Sequence, residues 1–183
     1  CTQCQTALAE AEVEYANHAS PSIYVKFLVT SDLSTLFPEA TDAPVNLIIW
    51  TTTPWTLPAN MGVCLHPDFQ YSAVKIENEI LIVAEELLSR LILEWNVKDY
   101  KVLGTRKGAE LEKQVCKHPF IDRDSLVVLG EHVTLEQGTG CVHTAPGHGQ
   151  EDYVVGNKYG LEIYNPVDDG GVFKPEVESF GGQ

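Results

Sequence analysis

The chain has 183 residues, with 12 Lys and Arg against 26 Asp and Glu for a net charge of −14, and 44% of its residues are hydrophobic. A chain of this size buries roughly 70% of the surface its unfolded form exposes and needs no disulfide or metal for stability, and its composition is far from disordered or collagen-like extremes. The charge excludes a protein that grips nucleic acid over its whole surface; no apolar run nears the roughly 18 residues that cross a bilayer, and Cys1 to Glu10 has neither a basic nor an apolar leader segment, so no membrane association or secretion is expected.

Five cysteines, odd in number and thinly spread, suit reduced thiols and a cytoplasmic location better than a disulfide scaffold. No repeat or composition shift divides the chain, so residues 1–183 are expected to form one domain, with linker-like ends at 1–20 and 166–183. The missing initiator Met suggests an excised piece.

In chain order, Thr6 to Tyr15 is rich in Ala and Glu, and Ala19-Ser20-Pro21 interrupts before an alternating run, Ser22 to Val29, whose period of two predicts a strand. Further strands are predicted at Val45 to Thr51, Met61 to Leu65, Tyr71 to Ile76 and Ile80 to Ala84, with turns at Pro67-Asp68 and Glu77-Asn78. Leu87, Leu91 and Trp95, with Leu88 and Ile92 beside them, form one apolar stripe and predict a helix over Ala84 to Trp95. Strands follow at Tyr100 to Leu103, Ser125 to Leu129 and Gly140 to Thr144. A second helix is predicted at Gln150 to Tyr159, with Glu151 and Asp152 favoured in its first turn by the helix dipole and Gly160 at its end. Many short strands with two helices predict a mainly β fold with peripheral helices, closed or strongly curved into a β-barrel. Between residues 98 and 123, Lys98, Lys101, Arg106, Lys107, Lys113, Lys117 and Arg123 outnumber Asp99, Glu110, Glu112 and Asp122, so one basic face could meet a polyanion.

Three groupings could carry chemistry. In Trp50-Thr51-Thr52-Thr53-Pro54-Trp55-Thr56-Leu57-Pro58-Ala59-Asn60, prolines stop a strand and four hydroxyls and an amide can converge to position a water or a carbonyl, with no general base among them. From composition alone, a Thr-rich strand and turn satisfying its own backbone is the plainer reading. The stretch Gly138 to Tyr153 is the densest polar grouping, with His143, His148, Glu151 and Asp152. It allows a metal site of zinc-type ligands, although the H-E-x-x-H spacing is absent, or an Asp152 anchor for a substrate cation between histidine walls. Cys1-Thr2-Gln3-Cys4 supplies half of a tetrahedral zinc site, with Cys64, Cys116 and Cys141 scattered.

Together and in this order, Trp50 to Asn60 and Gly138 to Tyr153 resemble the editing insertion, or connective peptide 1, of isoleucyl-tRNA synthetase, and the resemblance runs from Cys1-Thr2-Gln3-Cys4 to Tyr159-Gly160-Leu161-Glu162. The string His143-Thr144-Ala145-Pro146-Gly147-His148-Gly149, and Thr52-Thr53-Pro54-Trp55 where valyl and leucyl enzymes have Thr-Thr-Arg-Pro, suit the isoleucyl branch. The resemblance implies a β-barrel editing domain that hydrolyses Val-tRNA(Ile) and spares Ile-tRNA(Ile). It implies catalytic roles for Thr51, Thr52, Thr53 and Asp152, the last holding the substrate's α-ammonium, and substrate contacts for Trp55, Thr56, Asn60, His143, Thr144 and His148, with His143 bounding the side-chain pocket. The family's synthetic signatures are missing, so ATP and Mg belong to the parent's synthetic site. No cofactor or metal is expected in this chain, although the Cys1/Cys4 pair is matched in some members by a second pair after the insertion, which leaves zinc open for the full-length parent. The expected partners are the aminoacylated 3′ end of tRNA(Ile) and valine, with no membrane and no oligomer. Two other classes stay open: a zinc-dependent hydrolase using His143, His148 and Asp152, and a non-catalytic module that binds RNA or protein.

Overall fold

The computed structural model describes residues 4–7, 9, 11, 14–17 and 19–183. The Cys1/Cys4 pair therefore lies partly outside the described residues. Among the described residues, nine strands and two α-helices make up the regular part of the fold: β1 (Ile23–Val29), β2 (Val45–Thr51), β3 (Gly62–Leu65), β4 (Gln70–Ile76), β5 (Glu79–Ala84), α1 (Glu85–Glu94), β6 (Lys101–Lys107), β7 (Val115–Lys117), β8 (Asp124–Leu129), β9 (Cys141–Thr144) and α2 (Gln150–Tyr159). The strands form one mixed sheet in the order β6-β4-β5-β2-β1-β7-β8-β3-β9.

A strongly apolar strand, β2, lies beside the middle of this order. In β2, Val45, Leu47, Ile48 and Ile49 are buried, and the strand pairs antiparallel with β1 (Ile23↔Thr51) and parallel with β5 (Leu47↔Ile82). A near-continuous apolar run is what a strand covered on both faces requires. Helix α1 buries Leu87, Leu88, Leu91 and Ile92 in the same core as β2, β4 and β5. From its outer side, the Arg90 guanidinium donates to the Glu136 and Gly138 carbonyls at 2.9 and 3.0 Å, tying the helix to the loop before β9. Gly160 ends α2 at φ 66°, a left-handed conformation that glycine adopts without steric cost.

The sheet is not a barrel. Its two ends, β6 and β9, do not pair with one another, and the expectation of a closed or strongly curved barrel is corrected to an open mixed sheet. Both ends carry features of true edges. Strand β6 exposes Lys101 and Lys107 and shifts register against β4 between Ala73 and Val74, while β9 has only four residues. Lysines, bulges and brevity are the usual means of discouraging further strand pairing. Beside β9, Thr139 accepts the Ala84 N–H at 2.8 Å and its hydroxyl donates to the Ile48 carbonyl at 2.5 Å, isolated tethers that form no ladder. Two parallel pairings, β2 with β5 and β3 with β8, place strands beside partners distant in sequence, which the number and spacing of short strands does not reveal.

Both helices form where the pattern predicts them. The short strand β7 was not predicted, and β6 runs on to Lys107 beyond the predicted Leu103. The tail from residue 166 makes an isolated bridge, Val167 to Phe173, and its Phe180 ring packs 5.7 Å from Phe120 beside the β7–β8 turn.

Candidate functional site

The end of β2 sets out its threonines by the period of two. Thr51 and Thr53 fall on one side, with the Thr53 N–H donating to Thr51 Oγ1 at 3.0 Å and the two hydroxyl oxygens 3.3 Å apart, while the Thr52 carbonyl accepts from Ser20 Oγ at 2.8 Å; Thr51 is buried and Thr52 and Thr53 are exposed. Pro54 then opens a 3-10 turn, Pro54–Ala59, which carries Trp55 and Thr56. The Thr56 N–H and hydroxyl both return to the Thr53 carbonyl, at 3.0 and 2.9 Å. The turn is held from behind: His118 Nε2 donates to the Leu57 carbonyl at 2.9 Å, and Arg123 donates to the Pro58 carbonyl at 2.6 Å.

Strand β9 faces this turn through its pairing with β3, in which Val63 stands opposite His143. His143 is 8% exposed, and both of its ring nitrogens are engaged. Asn60 Nδ2 lies 2.8 Å from the Gly62 carbonyl, which can only accept, so the amide NH2 occupies that position and its second hydrogen goes to His143 Nδ1, also at 2.8 Å. The ring proton is therefore on Nε2, donating to Thr56 Oγ1 at 2.9 Å. Burial, with His118 and His148 nearby, lowers the His143 pKa to about 4, so the ring is neutral at physiological pH.

Asp152 is the third residue of α2, after the helix cap Gly149. Its Oδ2 accepts the Ala145 N–H at 3.0 Å, and its other oxygen has no hydrogen-bond partner among the described residues. A Cβ at Gly149 would stand 2.9 Å from Asp152 Oδ2, so a side chain there would displace the carboxylate. Burial raises the Asp152 pKa above the ordinary carboxylate value, against the lowering effect of the Ala145 N–H. His148 is lowered by burial, with Asp152 opposing the shift.

These groups line one cleft of about 490 Å³, formed by Trp50, Thr51, Thr53, Trp55, Thr56, Val142, His143, Ala145, His148, Gly149 and Asp152. An adjoining cleft of about 450 Å³ shares Trp55, Thr56 and His148 and is walled by Asn165, Val167, Asp168, Gly171 and Phe173. A third, of about 490 Å³, lies along α2 beside Leu129 and His132, away from the threonine turn.

Of the residues singled out in the sequence, Thr51, Thr53, Trp55, Thr56, His143, His148 and Asp152 meet in the first cleft. Thr52 does not line it, Asn60 is fully buried behind His143, and Thr144 is fully buried with its carbonyl accepting the Met61 N–H. Trp50, Val142, Ala145 and Gly149 also line the cleft; all lie within the two quoted runs, which therefore contain every lining residue. Ser125 lies outside both runs, and its hydroxyl donates to Asn60 Oδ1 at 2.6 Å; no sequence signal marks it.

The basic stretch is largely neutralised. Lys101 pairs with Glu39 at 2.8 Å, Lys117 with Asp122 at 2.7 Å, Lys107 with Asp68 at 3.6 Å and Arg106 with Glu110 at 4.0 Å, while Arg123 is half-buried over the Tyr164 ring. No group of three or more His, Cys, Asp or Glu side chains is placed to hold a metal among the described residues. No helix among them is long and apolar enough to cross a membrane.

The family model described as "Leucyl-tRNA synthetase, editing domain" matches residues 42–176. Isoleucine–tRNA ligases of Syntrophotalea carbinolica and Syntrophomonas wolfei are 54% and 58% identical over 182 residues, covering all of this chain and 20% and 19% of theirs. The chain thus spans about a fifth of the length of the relatives it matches. Among solved structures, the P. knowlesi cytosolic leucyl-tRNA synthetase editing domain is similar with a TM-score of 0.64 at 15% identity, over 84% of this chain and 68% of that one. The P. falciparum counterpart has a TM-score of 0.62 at 14% identity, over 79% and 71%. At such identities the likeness speaks for the fold, and the closer sequence relatives refine it: the chain belongs to the leucyl-tRNA synthetase editing-domain family, and within it to the isoleucyl-tRNA synthetase kind.

Proposed function

We infer that the chain hydrolyses the aminoacyl ester of valine mischarged onto tRNA(Ile) and spares Ile-tRNA(Ile). The observation that carries this is the convergence, in one cleft, of an open carboxylate oxygen on Asp152, the hydroxyls of Thr51, Thr53 and Thr56, and the neutral ring of His143. A synthetic site that accepts isoleucine cannot exclude the smaller valine, because one methylene supports only about 10- to 200-fold discrimination, a limit known for this enzyme family and not measured on this chain. A second pocket that admits valine and clashes with isoleucine multiplies that ratio.

The chemistry asks mainly for position, since the ester is already an activated acyl group. Asp152 anchors the α-ammonium by a charge-assisted hydrogen bond, which also relieves the cost of holding a carboxylate in a partly buried site. The hydroxyls of Thr51 and Thr53 orient the ester and the attacking water, with backbone N–H groups as oxyanion donors. No side chain serves as general base: His143 has no free lone pair, and the ribose hydroxyl beside the ester relays the proton. Trp55, at the junction of the two clefts, offers the terminal nucleotide an aromatic face. In this reading Thr52 and Thr144 act through the backbone around the cleft, and Asn60 through its amide on the His143 ring, none of them by touching the ester.

The partner is the 3′ end of tRNA(Ile), and the compartment is the cytoplasm, where reduced cysteines persist. Residues 1–20 and 166–183 join the domain to the ligase's synthetic core, where ATP and Mg act, and the editing cleft itself uses no cofactor. A deacylation assay with matched Val- and Ile-tRNA(Ile) tests the proposal: faster loss of valine is expected, and equal rates or none would refute it. Elemental analysis separates the zinc-hydrolase alternative, which requires stoichiometric metal and loss of hydrolysis in chelator.

A further inference from the structure

Ser125 lies on β8 with no exposed surface and lines no part of the cleft. Its hydroxyl begins a chain of hydrogen bonds in which every donor and acceptor is matched: Ser125 to Asn60 Oδ1 at 2.6 Å, Asn60 Nδ2 to His143 Nδ1 at 2.8 Å, His143 Nε2 to Thr56 Oγ1 at 2.9 Å, and Thr56 Oγ1 to the Thr53 carbonyl at 2.9 Å. The chain has a second polarity. If the Asn60 amide turned over, its oxygen would take a hydrogen from His143 Nδ1, leaving Nε2 bare. Nε2 would then draw the Thr56 hydroxyl hydrogen away from the Thr53 carbonyl, leaving the side chain tied to the ring and the turn held by the Thr56 N–H alone. Two groups oppose this reversal: the Gly62 carbonyl, which needs the amide NH2, and Ser125, which donates to the amide oxygen. Only the second can be removed by replacing a side chain.

We propose that Ser125 is a positioning residue which, through Asn60, holds His143 in its Nε2–H form and so fixes the ring and Thr56 as the wall that sets the cleft's selectivity. The selectivity rests on the editing function proposed above; the proton arrangement does not. Ser125→Ala leaves the buried Asn60 oxygen without its donor, so that only the Gly62 carbonyl still opposes turning that oxygen toward the ring, where it would regain one. Ser125→Cys keeps a weak donor of similar size.

The test uses the 183-residue protein with 15N-labelled histidine, reading the protonation of each His143 ring nitrogen by NMR alongside deacylation of Val- and Ile-tRNA(Ile). The expected wild-type ring is protonated at Nε2 and bare at Nδ1. In Ser125→Ala the Nδ1–H form should appear, and the Val-to-Ile rate ratio should fall by roughly 10-fold, the lower end of what one methylene provides. Ser125→Cys should recover part of both. Unchanged ring signals in a folded Ser125→Ala protein, with only a lowered melting temperature or an equal loss of both rates, would overturn the proposal. If Ser125→Ala fails to fold, Ser125→Gly, which also lacks the donor, with wild-type ring signals and ratio would do the same. Should the wild-type protein hydrolyse neither substrate, the editing function falls and the ring signals alone decide the role of Ser125.

Discussion

Asp152 keeps a carboxylate where burial disfavours it, and two consequences follow for activity. Asp152→Asn keeps the shape and the acceptor for the Ala145 N–H but loses the charge that would hold the ammonium. Deacylation of Val-tRNA should drop by about 1.5–3 kcal/mol of lost stabilisation, roughly 10- to 150-fold. Thermal stability should stay or rise, because the folded pKa is raised and the ionised group opposes folding at pH above it. The same sign gives a pH profile: as pH falls, Asp152 takes up a proton at a higher pH than an exposed aspartate does and the anchor is lost. The acid limb of kcat/KM should therefore lie above the ordinary carboxylate range and vanish from the residual activity of Asp152→Asn, since His143 stays neutral down to about 4. His143→Ala tests the wall. It should admit Ile-tRNA and raise its hydrolysis by about 10- to 200-fold while much of the Val-tRNA activity remains, and equal loss of both would make His143 catalytic or structural.

Among the elements, α1 is the clearest case of a pattern that dictates its packing. Its stripe was legible because Leu87, Leu91 and their neighbours recur at the helical period, and all four of its buried residues lie on that stripe. Leu91 is wholly buried in the main core, and Leu91→Ala should cost about 2–5 kcal/mol by chemical denaturation. The threonine turn was less legible. Pro54 and Pro58 predict a stop after β2, but the separation of Thr52 from Thr51 and Thr53 depends on the strand's alternation persisting past its last paired residue. The carbonyls that grip the turn are met by His118 and Arg123 from the β7–β8 turn, and a three-residue strand such as β7 carries too short a pattern to be seen in sequence. Ser125 was invisible for a related reason: a lone serine in an apolar strand has no local mark of the buried amide it meets across the fold.

Across the whole molecule, closure was the feature that sequence could not supply. Alternation reports which side chains face a core; whether the last strand pairs with the first depends on partners far along the chain, and here β6 and β9 remain apart. Charge is similarly a matter of arrangement. Of the seven cations between residues 98 and 123, only Lys98 and Lys113 lack both an ion pair and a hydrogen-bonded carbonyl among the described residues. A paired lysine that turns to a phosphate exchanges one partner for another, so about two net neutralisations are available. Binding of a single-stranded acceptor end should then weaken with salt at a slope of roughly −1.5 in log–log form, at about −0.7 per phosphate. A much steeper slope in a binding titration would mean that the ion pairs open.

The hydrogen bond between Asn60 and His143 joins residues 83 apart in sequence, and the β3–β9 pairing around it is equally non-local. Contacts of this kind form only once a long loop has been closed, whose entropy must be lost first. The threonine turn belongs to the early side of that loop, while Asp152, proposed as the ammonium anchor, and His143, proposed as the selective wall, lie together on the other. A partly folded chain therefore holds neither, and on the proposed function the domain passes from inert to selective without a stage in which it hydrolyses aminoacyl-tRNA esters indiscriminately.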